Sequence, residues 1–74
     1  MLLKLRQVKS GKAIIKSLPK EYRRQLLNLG LIPGVEIEII QNVRRMPIII
    51  RIHNSTLAIS RYIGREIECE VVGV

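Results

Sequence analysis

Seventy-four residues are enough for one small domain, and 13 Lys+Arg against 6 Asp+Glu leave it a formal charge of +7. Hydrophobic residues are 47 % of the chain and aromatics only 3 %. Such a balance excludes a disordered chain, because Ile, Leu and Val bury enough surface to offset ordering entropy. One cysteine, one histidine and no aspartate exclude a disulfide framework, a Cys-rich zinc site and a Ser-His-Asp triad.

At the N-terminus Lys4 and Arg6 follow Met1-Leu2-Leu3 too closely for a secretory signal. No run approaches the ~20 apolar residues that cross a bilayer, so a cytoplasmic protein is expected. Residues 1–74 read as a single domain without linkers or repeats. Lys12 to Leu18, around Ala13-Ile14-Ile15, predicts a first strand that stops at Pro19, which lacks an N–H for the ladder.

Pro19 also suits the first turn of a helix. Tyr22, Leu26 and Leu29 recur at i, i+4 and i+7 as one apolar stripe, with Leu27 beside it. Gly30 is placed to stop that helix by taking positive φ, and Leu31 to pack back on its last turn. Pro33-Gly34 fits the two central positions of a type II turn. Leu29, Gly30, Leu31, Pro33 and Gly34 thus form a structural turn motif that sets the angle between helix and sheet.

Beyond the turn the period changes to two. Val35, Ile37 and Ile39 alternate with Glu36 and Glu38, and the doublet Ile39-Ile40 breaks the alternation, as a bulge or a strand wrapping between two packing environments would. A basic loop, Arg44-Arg45-Met46-Pro47, leads to Ile48, Ile50 and Ile52 on one face and Ile49, Arg51 and His53 on the other. Asn54-Ser55 predicts a tight turn into Leu57 and Ile59, and Arg61 to Arg65 a single helical turn ending near Gly64. In the last strand Ile67, Cys69 and Val71 face inward, Glu68 and Glu70 outward. The expected fold is mainly β: a small SH3-like five-stranded barrel with one α-helix inserted between the first and second strands. Closure would remove the exposed edges.

Arg24, Leu26-Leu27 and the run Leu29-Gly30-Leu31-Ile32-Pro33-Gly34-Val35 resemble the FeoA family, ferrous-iron transport protein A. Gly11 before the first strand, Pro47 before the third and Leu57-Ala58-Ile59 in the fourth fall in the family's order, so the resemblance covers essentially the whole chain. It departs at Arg45-Met46-Pro47, where family members often carry a Gly-Asp-Pro-like turn. The resemblance implies a non-enzymatic accessory protein that docks on the cytoplasmic side of the membrane ferrous-iron transporter FeoB, whose own domain hydrolyses GTP. Expected partner contacts are Arg23 and Arg24 on the helix, with Arg44, Arg45 and Met46 on the loop.

No cofactor or metal site is expected. Ferrous iron favours imidazole and carboxylate ligands, and the one imidazole, His53, stands beside Arg51. The pairs Glu36/Glu38 and Glu68/Glu70 could bridge a transition-metal cation, but such pairs are more often the solvated side of a strand. A P-loop is absent, and Ser10-Gly11-Lys12 is too short to stand in for one. The basic excess leaves two further partners open. One is an anionic membrane surface. The other is RNA or a ribosomal partner, a reading weakened by having two tyrosines for base stacking.

Overall fold

Alternating apolar residues build a curled antiparallel sheet around a single core in the computed structural model, which describes residues 1–72. In chain order the elements are β1 (Leu2–Lys4), β2 (Gly11–Ser17), α1 (Arg23–Asn28), β3 (Glu36–Gln41), β4 (Ile48–Ile52), β5 (Ser55–Ile59), α2 (Arg61–Gly64) and β6 (Glu68–Val71). One six-stranded sheet runs β1-β6-β2-β3-β4-β5. Ala13, Ile15, Ile37, Ile39, Ile48, Ile50, Ile52, Ile59 and Cys69 turn inward from its strands, where Leu5, Val8, Leu18, Leu26, Leu31 and Ile67 meet them.

Two expectations about the sheet are corrected. It has six strands, the unforeseen one being β1, whose three residues are too few to display a period of two. β1 forms because β6 has a second free edge: Leu2, Leu3 and Lys4 pair with Glu70, Cys69 and Glu68. Nor is the sheet a closed barrel, since its edge strands β1 and β5 do not pair. After Lys4 the chain leaves β1 as a 3-10 turn over Leu5–Gln7, which carries Leu5 and Val8 into the core. The Asn42 side chain, just after β3, ties this segment down: its Nδ2 donates to the carbonyls of Arg6 (2.8 Å) and Val8 (2.7 Å).

The helix lies between β2 and β3, between the strands expected to flank it. Its first turn is 3-10, over Lys20–Tyr22. Its end is a Schellman motif: Gly30 N–H donates to Leu27 O at 3.0 Å and Leu31 N–H to Leu26 O at 3.0 Å, with Gly30 at φ +94°. That geometry corrects the predicted stripe. Leu26 is buried and Tyr22 half-buried against the core, but Leu29 is 50 % exposed. The reversal at Gly30 swings Leu31 under the helix, into the place Leu29 would otherwise fill.

Val35 N–H donates to Ile32 O at 2.9 Å and Gly34 takes φ +99°, the type II turn expected of Pro33-Gly34. Gly34 N–H then reaches Ile15 O at 2.7 Å, clamping the turn to β2. The bulge lies at the Ile39-Ile40 doublet, where the β3–β4 register shifts between Ile39 and Gln41. One turn moves. His53 and Asn54, not Asn54 and Ser55, connect β4 to β5, because Ile52 pairs with Ser55. His53 sits there at φ +54°, exposed, rather than beside Ile49 and Arg51 in the strand.

Candidate functional site

Charge is distributed far less evenly in the fold than along the chain. On the outer face of the sheet the alternation that buries Ile aims glutamates at cations of neighbouring strands. Glu38 pairs with Arg51 at 3.2 Å, Glu36 with Lys12 at 3.9 Å, Glu68 with Lys4 at 3.4 Å and Glu70 with Lys16 at 3.4 Å. Arg65 and Glu66 pair at 3.8 Å beside β6. Each pair is exposed and contributes little to stability, but together they neutralise the sheet surface. Glu68 is the best held: the Ser17 hydroxyl donates to it at 3.0 Å, and with the Lys4 ammonium this holds its carboxyl below the ordinary carboxylate value.

The +7 excess therefore lies elsewhere. Among the described residues, two groups of cations pair with no carboxylate. The first is Lys20, Arg23 and Arg24 on and before α1. They line a shallow, open depression of about 430 Å³ with Leu27 and Asn28, and Leu27, Leu29 and Ile32 are exposed large apolar residues of the same connection.

The second group surrounds the loop between β3 and β4. Met46 N–H donates to Val43 O at 3.0 Å, closing a turn with Arg44 and Arg45 at its centre and Arg45 at φ +70°. A non-glycine residue in that region costs roughly 1–2 kcal/mol and persists only where its surroundings hold it. Arg61 of α2 does the holding. Its guanidinium donates to Asn42 Oδ1 at 2.6 Å, Val43 O at 3.1 Å and Met46 O at 3.3 Å, three neutral acceptors that leave its charge uncompensated. Through Asn42 the loop is tied to the segment carrying Arg6 and Lys9. Five cations thus share one end of the molecule, with Val43 and Met46 exposed among them.

The predicted partner residues are split by this arrangement. Arg23 and Arg24 belong to the connection that enters β3, and Arg44, Arg45 and Met46 to the loop that leaves it. Six strand residues at about 3.3 Å each separate the two. The turn motif is brought together as expected, except that Leu29 points outward. Sequence reasoning passed over Asn42 and Arg61, which organise the loop. The only sequence signal was a basic residue at the first position of a one-turn helix, capped by Ser60, whose Oγ accepts from Ile63 N–H at 3.2 Å.

Among the described residues no three His, Cys, Asp or Glu side chains converge as metal ligands. Cys69 is buried, and burial pushes its thiol pKa up, so it packs as a small apolar side chain. Two aromatic rings are available for base stacking, and both are engaged on at least one side. Tyr22 packs against the core, and the Arg65 guanidinium lies 4.5 Å from the centroid of the Tyr62 ring.

The FeoA domain family model matches residues 3–71. Among solved structures, the chain resembles the crystal structure of an iron uptake regulatory protein (FeoA) with a TM-score of 0.88, at 24 % identity over 97 % of this chain and 100 % of that one. The FeoA protein of Chlorobium tepidum follows at TM-score 0.84 and 23 % identity, over 96 % of this chain and 71 % of the other. Iron(II) transport protein A of Clostridium thermocellum is 35 % identical, with a TM-score of 0.83, over 96 % of this chain but 46 % of its own. No curated protein matches the sequence.

Proposed function

The chain belongs to the FeoA family, whose role is that of an accessory to ferrous-iron transport, and we propose that this member docks on the cytoplasmic side of the transporter FeoB through the α1 end of the fold. What carries the reading is the open depression rimmed by Lys20, Arg23 and Arg24 and flanked by Leu27. Unpaired cations around exposed leucines suit a partner surface that is acidic at its rim and apolar at its centre. The chain works as a binding module: iron is the transporter's cargo, and nucleotide chemistry belongs to the transporter's own domain. Leu29, Gly30, Leu31, Pro33 and Gly34 act by positioning, since the Schellman motif and the following turn hold the depression at a set angle on β2 and β3.

The test is biolayer interferometry between the purified chain and detergent-solubilised FeoB. R23E/R24E is expected to weaken binding at least about tenfold, mostly through slower association with a lower salt dependence, and with an unchanged circular dichroism spectrum. Wild-type chain that fails to bind, or a double variant that binds as tightly as wild type, would refute the assignment.

A further inference from the structure

The opposite end of β3 offers a different chemistry, and we infer that it is a docking surface for an anionic lipid bilayer. Arg44 and Arg45 occupy the centre of a turn whose flanks, Val43 and Met46, are 51 % and 48 % exposed. Asn42 grips the carbonyls of Arg6 and of Val8, the neighbour of Lys9, and Arg61 lies behind the turn with its charge unmatched. No carboxylate pairs with any of these cations among the described residues, whereas the cations of the sheet face are neutralised. A flat negative surface is the complement of such an end.

The apolar flanks select the kind of anionic surface. Val43 and Met46 enter the boundary between headgroups and acyl chains at a gain in burial, while the guanidinium groups stay at phosphate level, as amphipathic basic side chains do at interfaces. Nucleic acid would leave both apolar side chains idle, and one face of the Tyr62 ring is already covered by the Arg65 guanidinium. The loop needs its fixed shape for this. Arg61 holds three acceptors of the turn, so Arg44, Arg45 and both apolar flanks are presented without first ordering a floppy segment.

The surface is independent of the transporter-docking proposal, and its test contains no transporter. The full chain is sedimented with vesicles of phosphatidylglycerol and phosphatidylethanolamine in equal parts, and with zwitterionic phosphatidylcholine vesicles, at physiological ionic strength. Binding is expected to the anionic vesicles only and to fall as salt rises. R44Q/R45N, with Asn chosen because it tolerates the left-handed backbone at position 45, is expected to lower the partition coefficient about 30-fold, from roughly 1 kcal/mol for each basic residue. Met46→Ser is expected to weaken partitioning without altering its salt dependence. K16Q/R51Q removes the same charge from the sheet face and is expected to change partitioning less than about threefold, since only the loop end faces the lipid.

Absence of binding to the anionic vesicles, equal binding to phosphatidylcholine, or an equal loss in K16Q/R51Q would each overturn the proposal. So would tighter binding of oligouridine with the same sensitivity to R44Q/R45N, which would assign this end to nucleic acid. Circular dichroism of each variant separates loss of the surface from loss of the fold.

Discussion

Gly64 closes α2 against Ile48 of β4, and it leaves no room for a side chain. A methyl group there would lie 2.6 Å from Ile48 Cδ1 and 3.8 Å from the Arg6 backbone nitrogen. Carbon atoms in contact keep about 3.5–4.0 Å, so only the Ile48 contact is violated, by about 1 Å. Ile48 is completely buried and cannot swing into solvent. Overpacking of this kind costs about 1–3 kcal/mol, offset by up to about 1 kcal/mol because alanine favours a helix over glycine. Gly64→Ala is therefore expected to destabilise the fold by about 1–2 kcal/mol, a fall in Tm of roughly 5–15 °C for a domain of this size. Ile48→Val, which removes the offending carbon, costs about 0.5–1.5 kcal/mol alone. In the double variant the new methyl group fills the space left by the old one, so the combined loss should be at least about 1 kcal/mol smaller than the sum. Urea denaturation followed by circular dichroism measures all three variants. Strict additivity, or a Gly64→Ala protein as stable as wild type, would refute the reasoning.

Gly30 tests a different mechanism, because a Cβ there meets open space and only the backbone at φ +94° objects. Gly30→Val should cost about 2 kcal/mol and Gly30→Asn clearly less, since asparagine tolerates the left-handed region; equal midpoints for the two variants would contradict the helix-stop assignment. The Glu68 carboxylate is held down first by the Ser17 hydroxyl and then by Lys4. A folded pKa below the unfolded one adds stability above the ordinary carboxylate range, and that stability is lost as pH falls through the folded pKa. Ser17→Ala should raise the Glu68 pKa in an NMR titration and soften the acid side of the stability profile; an unmoved pKa would mean that Lys4 alone sets it.

Local chemistry was legible from the residues in order. Gly30 and Gly34 are placed where only positive φ completes a cap or a turn, so helix stop and type II turn could be read directly. The alternation of apolar residues with Glu in β3 and β6 named both faces of those strands, because a period of two leaves no choice once one face is apolar. The Ile39-Ile40 doublet marked a break in that period, which the register shift between Ile39 and Gln41 resolves as a bulge. The family, too, was visible in the ordered run of these landmarks.

What required the tertiary structure was everything decided by pairing between distant segments. β1 exists only because β6 has an edge to offer, and nothing within Leu2-Leu3-Lys4 states that. The exposure of Leu29 depends on a reversal that puts Leu31 beneath the helix. The loop of Arg44, Arg45 and Met46 is shaped by Arg61 and Asn42, residues with no distinguishing local pattern. Charge shows the division most plainly. Thirteen basic residues scattered along the sequence look like a uniform solvated coat. Folding sets glutamates against the cations of the sheet and leaves the remainder at the two ends of β3, because Coulomb pairing acts between neighbours in space and not between neighbours in sequence.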